Sequence, residues 1–275
     1  MRWAHVLGDA YSAAECINTW GKIMANHKVP VHLSNPINIQ SQPSTSASLC
    51  RSIKQLDPLG DNWSIPNNSK IMQTHTFHIT KESLIKLLPE EKNSNKYRVI
   101  TPFEVISAVI WKCAAKIMNM INIITVCKKS DKILDLTSVQ SELPSNTRQV
   151  TGTVEARTLD LIRDADYLEL AKYISEEFVD ETNAVEREME EGSGKLDFIV
   201  YGSNLTFVEW EEVNVWGLEL NGLGPIFAGL SIDGVGDEGA VVVMARNGGG
   251  RSVNVILAED RLGQLRNELV EYGIV

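Results

Sequence analysis

The chain has 275 residues, 43% hydrophobic and 23% charged, which is enough to bury one large core or two modest ones. A formal net charge of -10, with Lys and Arg scattered, excludes a basic phosphate-tracking surface; no nucleic-acid partner is expected, and any anionic ligand must be held by a local site. The four cysteines show no CxxC spacing, which points to reduced thiols in a cytosolic-type compartment and against zinc.

The N-terminus runs from Met1-Arg2-Trp3 straight into Ala4-His5-Val6-Leu7. That reads as the end of a core strand with no signal-peptide h-region before it, so that Met1 looks like a start inside a domain. Ser12 through Asn26 places Ala14, Cys16, Ile17, Trp20, Ile23 and Met24 at helical spacing, which predicts a helix packed on a strand. Residues 27–70, rich in Pro, Ser and Asn, are too long and too aperiodic for an ordinary loop and are expected to be an inter-domain crossover.

Order resumes at Ile71, with a strand near Thr74 to Ile79 and a helix opened by Thr80 that carries Leu84, Leu87 and Leu88. Thr101-Pro102-Phe103-Glu104 supplies an N-cap, a Pro at the first position and a capping-box Glu for a helix reaching about Asn119. Short strands are expected at 121–126 and 132–137, then one charged helix from about Asp164 to Glu191 with a solvated acidic end. Strands are predicted at Phe198–Tyr201, Leu205–Trp210, Ile226–Ile232, Ala240–Ala245 and Val253–Leu257, with a closing helix over Glu259–Tyr272. Together they predict an α+β domain with a mixed sheet. The longest apolar runs, Val105–Trp111 and Ile121–Val126, fall well short of the roughly 20 residues of a membrane-spanning helix.

Gly234-Val235-Gly236-Asp237-Glu238-Gly239 matches the GxGxxG pattern of dinucleotide sites. That chemistry requires a helix N-terminus after the glycines, whereas Ala240-Val241-Val242-Val243-Met244 is a β-branched run, so a tight turn into a strand is predicted. His27, His32, His75 and His78 have no carboxylate or thiol at metal-ligand spacing and are read as ordinary histidines. Ser203 lacks the GxSxG elbow of a serine hydrolase.

Three further blocks occur in a characteristic order. Trp3-Ala4-His5-Val6-Leu7-Gly8-Asp9-Ala10, followed at once by an amphipathic helix, resembles the catalytic HxxxDG segment of the BAHD acyltransferase family, with Ala10 in place of the usual Gly. Thr101 through Lys112 resembles that family's helix-start segment. Val213-Asn214-Val215-Trp216-Gly217 falls where the family carries DFGWG, of which only Trp216 and Gly217 remain. Two stretches, Asp197 to Val208 and Gly234 to Val243, look like the eceriferum/glossy branch.

The resemblance implies a chloramphenicol-acetyltransferase-like two-domain fold whose first domain is incomplete. Residues 1–26 would be a remnant of the N-terminal domain with the HxxxD motif, 27–70 the crossover and 71–275 the C-terminal domain. It implies that His5 takes a proton from an acceptor hydroxyl or amine as it attacks an acyl-CoA thioester, a general-base role. Asp9 would hold the loop through a distant arginine. The family's RxR-like segment falls at Gln140-Ser141-Glu142, so Asp9 would be hydrogen-bonded without charge pairing by Gln140, or repelled by Glu142.

By the same resemblance no cofactor is permanently bound and acyl-CoA is the co-substrate or ligand. The expected partners are an acyl chain and an endoplasmic-reticulum condensing enzyme, for a monomer in the cytoplasm or at that membrane's surface. Three functions follow: an accessory of very-long-chain fatty-acid elongation for cuticular wax, a working acyltransferase, or an inactive truncated gene product.

Overall fold

The computed structural model describes residue 3 and residues 7–28, 50–58, 70–89, 99–118, 121–129, 149–192 and 195–274. In chain order these form α1 (Ala10–Met24), β1 (Lys54–Leu56), β2 (Met72–Ile79), α2 (Lys81–Leu87), α3 (Pro102–Ile117), β3 (Ile123–Lys129), β4 (Gln149–Glu155), α4 (Leu159–Asp164), α5 (Tyr167–Glu176), β5 (Val179–Asp180), α6 (Thr182–Gly192), β6 (Asp197–Ile199), β7 (Leu205–Trp210), β8 (Ala240–Ala245), β9 (Arg251–Ala258) and α7 (Glu259–Val270).

Seven strands make one mixed sheet in the order β2-β9-β8-β7-β3-β4-β5. The central pairs β3–β7 and β7–β8 are parallel, and the flanking pairs are antiparallel. Alternation along the strands sorts the side chains to two faces. Ile124, Val126, Val154, Leu205, Phe207, Val241, Val243, Val253, Val255 and Leu257 point into the main core with the helices. Cys127, Val208, Val242 and Met244 point the other way, beneath Tyr201, Trp210, Val215, Leu230 and Ile232.

Helix α3 lies at the centre of the helical layer. It is apolar around most of its circumference, with Val105, Ile106, Ala108, Val109, Trp111 and Cys113 all buried, as a helix covered on every side must be. The expected capping box is present: Glu104 N donates to Thr101 Oγ1 at 3.2 Å and Thr101 N donates to Glu104 Oε2 at 2.8 Å. Indole Nε1 of Trp111 finds its buried acceptor in Ile121 O at 3.0 Å. Burial lifts the Cys113 thiol to about 12, so it stays protonated in the core.

Several sequence expectations need correcting. The single helix expected from about Asp164 to Glu191 is two helices, α5 and α6, because α4 ends at Asp164, Asp166 caps a new start and Val179–Asp180 pairs with β4 as an edge strand. Ile226–Ile232 is irregular, with Ile226 fully exposed, since Pro225 and nearby glycines interrupt it. The predicted strand at 132–137 lies outside the described residues. Strand β4, which carries Thr and Gly where an apolar run was sought, was not anticipated. Residues 240–245 are β8, antiparallel to β9 across a turn at Asn247–Gly250, as expected, and not the helix that a dinucleotide site needs.

Within the expected crossover, residues 50–56 are described and held tightly. Strand β1 pairs with β6 in a separate two-stranded sheet. Just before it, the buried Glu181 carboxylate accepts from Arg51 N, Ser52 N and Ser52 Oγ, each at 2.8 Å, through one oxygen, and from Thr153 Oγ1 at 2.7 Å through the other. Ser203 Oγ donates to Ser52 O at 2.7 Å, and Asn204 Nδ2 donates to Arg51 O at 2.8 Å. Arg51 pairs with Glu155 at 2.6 Å on the surface. Ser203, set aside above as a nucleophile, is thus a tether.

Replacing Glu181 with Ala leaves two amide hydrogens and two hydroxyls without their acceptor, a loss of about 2–4 kcal/mol in urea unfolding free energy. Glu209 offers a second measurement. Its Oε2 accepts from Lys129 N at 3.1 Å, and burial raises its pKa above the usual carboxylate range, with Glu211 and Glu104 adding to the rise. The folded state therefore binds this proton more tightly than the unfolded chain. Unfolding free energy falls as pH climbs from the ordinary Glu value through the raised one, and the loss is complete above it. Glu209→Gln keeps the acceptor and removes the charge; it is expected to unfold at higher urea than the parent at neutral pH, with the difference vanishing under mild acid.

Candidate functional site

The turn that carries the HxxxD motif is built from local hydrogen bonds. Trp3 Nε1 donates to Gly8 O at 2.9 Å. Gly8 has φ +140°, and a Cβ there would lie 2.7 Å from Ser12 Cβ and Oγ, so the close turn requires glycine. Asp9 is the N-cap of α1: its Oδ1 accepts from Ser12 N and Ser12 Oγ, both at 2.9 Å. Among the described residues no Lys or Arg pairs with Asp9. His5, Gln140 and Glu142 lie outside the described residues.

The inner face of α1 is made of Ala14, Asn18 and Gly21, the helix's buried positions. Asn18 Nδ2 donates to Asn214 O at 2.8 Å, across 196 residues of sequence. Gly217 passes so close that a Cβ there would sit 2.6 Å from Asn18 Nδ2 and 2.4 Å from Asn214 Nδ2. At Gly21 a Cβ would meet Glu219 O and Leu218 Cδ1 at 2.8 Å. The helix that follows the first motif block therefore touches the segment carrying Trp216 and Gly217, with small residues permitting the approach.

Trp216 continues this contact into the sheet. Its Nε1 donates to Ala245 O at 2.8 Å, while Val215 packs over the Cys127–Val242 side of the sheet and Val213 is buried. The loop from Val213 to Gly217 thus bridges α1 to the end of β8.

Tyr201 was not anticipated. Its ring packs into both apolar clusters on this face, beside Cys127, Val208, Val235 and Ala240. Burial pushes its phenol well above the usual tyrosine range, and Cys127 and Asp9 act in the same direction. Burial likewise raises the Cys127 thiol to about 11. Of the two groups that act on the Tyr201 phenol through the electrostatic field, only Asp9 belongs to a recognisable motif. Asn18 was missed because a side-chain amide inside a helical stripe carries no sequence signal of its partner.

The remaining candidates are dispersed. His78 Nδ1 lies 3.0 Å from Ser252 Oγ, and its ring meets Phe227 edge-on at 6.3 Å. Burial and the neighbouring Arg246 lower the His78 pKa. His75 stacks at a tilt on Phe77. His27 is exposed, and His32 lies outside the described residues.

The sequence model of the Transferase family matches residues 1–125. Arabidopsis thaliana ECERIFERUM 2 is 30% identical over 275 residues, covering 98% of this chain and 61% of that protein. ECERIFERUM 26-like from the same plant is 28% identical, covering 100% of the chain and 62% of that protein. Among solved structures, F. sporotrichioides TRI101 complexed with coenzyme A and T-2 superposes with TM-score 0.59 at 12% identity, over 94% of this chain and 62% of that one. Vinorine synthase gives TM-score 0.58 at 17% identity, over 96% and 60%. The chain has the fold of the BAHD acyltransferases, and its first 125 residues match the Transferase family model.

The chain spans about three fifths of the length of the curated relatives it matches. Its α+β fold with a mixed sheet is that of the BAHD acyltransferases. The Asp9 cap can be tested directly: Asp9→Ala is expected to cost about 0.5–2 kcal/mol in thermal or urea unfolding, whereas Asp9→Asn, which still accepts from Ser12 N, should lie within a few tenths of the parent. Equal losses in both variants would mean that the charge, and not the cap, is what α1 uses.

Proposed function

We propose that the protein uses the BAHD fold as an accessory of very-long-chain acyl-CoA elongation, in cuticular wax synthesis, binding an acyl chain or acyl-CoA beside a condensing enzyme at the endoplasmic-reticulum surface. The observation that carries this reading is the pattern of likeness: 28–30% identity to three ECERIFERUM proteins across 98–100% of the chain, against 12–17% to solved acyltransferases of the same fold. Two features of the site support it. The Asp9 carboxylate is engaged in capping α1, and the segment in the DFGWG position has valines at 213 and 215. Among the described residues no helix is long and apolar enough to cross a membrane.

The domain reading belongs to the same proposal: residues 1–26 as part of an N-terminal domain, 27–70 as crossover and 71–275 as the C-terminal domain. The anchoring of Arg51 and Ser52 on Glu181 supports a crossover that lies against the body it enters.

A second reading, acyl transfer, is favoured by the fold shared with TRI101, whose structure holds coenzyme A. In it His5 takes the acceptor's proton as the hydroxyl or amine attacks the thioester carbonyl, and the proton leaves with the CoA thiol. Such a base contributes about 10²- to 10⁴-fold. His5→Ala separates the two. Co-expressed in yeast with a condensing enzyme, the variant is expected to give the same fatty-acid chain-length profile as the parent. A profile reverting to that of the condensing enzyme alone, together with lost transfer in an acyl-CoA assay, would overturn the accessory reading.

A further inference from the structure

Glutamates 209, 211 and 212 follow one another at the exit of β7, and each is engaged differently. Glu209 Oε2 accepts from Lys129 N at 3.1 Å, and Glu212 meets Lys129 Nζ at 2.6 Å on the surface, where an ion pair contributes little. Glu211 pairs with Arg251 Nε at 2.6 Å, and there the two side chains are only 15% and 16% exposed. Arg251 Nη1 donates in addition to Gly249 O at 3.1 Å and Gly250 O at 3.0 Å, so the guanidinium is held by the turn between β8 and β9 as well. Among the described residues this is the ion pair most withdrawn from water.

Its place in the sheet gives it a second consequence. Arg251 stands opposite Ala245 in the β8–β9 ladder, and Ala245 O accepts from Trp216 Nε1 at 2.8 Å. One cross-strand pair therefore holds the 211–216 loop at both ends. Between the two anchors the loop folds on itself, with Val213 N donating to Trp210 O at 3.2 Å, Val215 N donating to Val213 O at 2.8 Å and the Val213 side chain buried. Asn214 O is left at the loop's middle to accept from Asn18 Nδ2 at 2.8 Å. Asn18 Oδ1 is buried without a partner, so this is the one hydrogen bond that the side chain makes to a described residue. Asn18 lies on α1, the helix that Asp9 caps.

We propose that Glu211 and Arg251 are positioning residues for the Asp9 turn, acting through the 211–216 loop and Asn214 on helix α1. The desolvation of a withdrawn ion pair offsets much of its Coulombic gain, and what it contributes is a single fixed geometry. Arginine suits that task, because its planar fork bonds Glu211 and the turn carbonyls at once, which a lysine ammonium does not reproduce. The functional consequence rests on the accessory reading above: a site that works by holding its shape depends on the pair that sets the shape.

The test follows hydrogen exchange by mass spectrometry in the full chain, comparing the parent with Glu211→Ala, Glu211→Gln and Trp216→Phe. Glu211→Ala is expected to speed exchange of the α1 amides beyond its first turn about tenfold or more, with the α3 amides unchanged. Glu211→Gln keeps an acceptor for Arg251 Nε and gives a smaller response. Trp216→Phe, which loses the indole N–H, gives the same α1 response from the other end of the loop. Co-expressed in yeast with a condensing enzyme, Glu211→Ala is expected to move the fatty-acid chain-length profile back toward that of the condensing enzyme alone. Faster exchange confined to residues 246–251, or spread equally over α1 and α3, overturns the proposal, since the pair would then serve the turn or stability at large. An unaltered chain-length profile beside faster α1 exchange overturns its functional part. A parent chain that leaves the profile of the condensing enzyme unchanged overturns the accessory reading instead, and the exchange pattern still decides whether the pair positions α1.

Discussion

Strands β8 and β9 are buried along nearly their whole length, on both faces of the sheet. That constraint governs the rest of the molecule, because a sheet with two apolar faces needs two covering layers. The helical layer, centred on α3, covers one. The other is covered by irregular chain between Trp210 and Gly239 together with Tyr201, and a loop can cover a sheet only where its own backbone polar groups find partners. Trp216 Nε1 satisfies Ala245 O at the end of β8, while the bonds from Gly236 N to Tyr201 O and from Asn18 Nδ2 to Asn214 O meet that need for the loop. The last of them brings α1, and with it the Asp9 turn, against the sheet's second face.

Anchoring of the crossover follows from a comparable demand. Residues 50–53 run across polar positions of β4 and the β6–β7 connection, where their amides would be shut off from water. One carboxylate, Glu181, accepts four of the available donors, and the amide and hydroxyl of Asn204 and Ser203 take carbonyls on the same segment. A charged acceptor is the economical solution, since its hydrogen bonds are stronger than neutral ones. The same arrangement explains why Ser203 and Asn204, which adjoin the Tyr201 cluster, serve structure at this point in the fold.

Fold and chemistry separate clearly in this protein. The BAHD framework is present, down to the capped helix at Thr101 and the contact between the HxxxD helix and the segment carrying Trp216 and Gly217. A shared framework does not fix what is done with it. Asp9 is satisfied locally by Ser12, and valines occupy the positions around Trp216. These side chains hold the site's shape through packing and capping, which suits a protein that binds an acyl chain as well as one that transfers it.

Local chemistry made several elements readable from the sequence. The capping box at Thr101 and Glu104, the strands at β7 to β9 and the turn at Asn247–Gly250 depend on neighbours within a few residues, and each formed where expected. The order of the motif blocks likewise pointed to the fold that the solved acyltransferases share. Periodicity failed where it extended one helix across the cap at Asp166 and the edge strand at Val179, or took an apolar run for a strand, as at Ile226. What only the tertiary structure decided is the set of partners across the chain: Asn18 with Asn214, Glu181 with Ser52, Trp216 with Ala245, and which side of α1 faces outward. Those depend on burial and on close approach between residues far apart in sequence, and neither composition nor spacing records them.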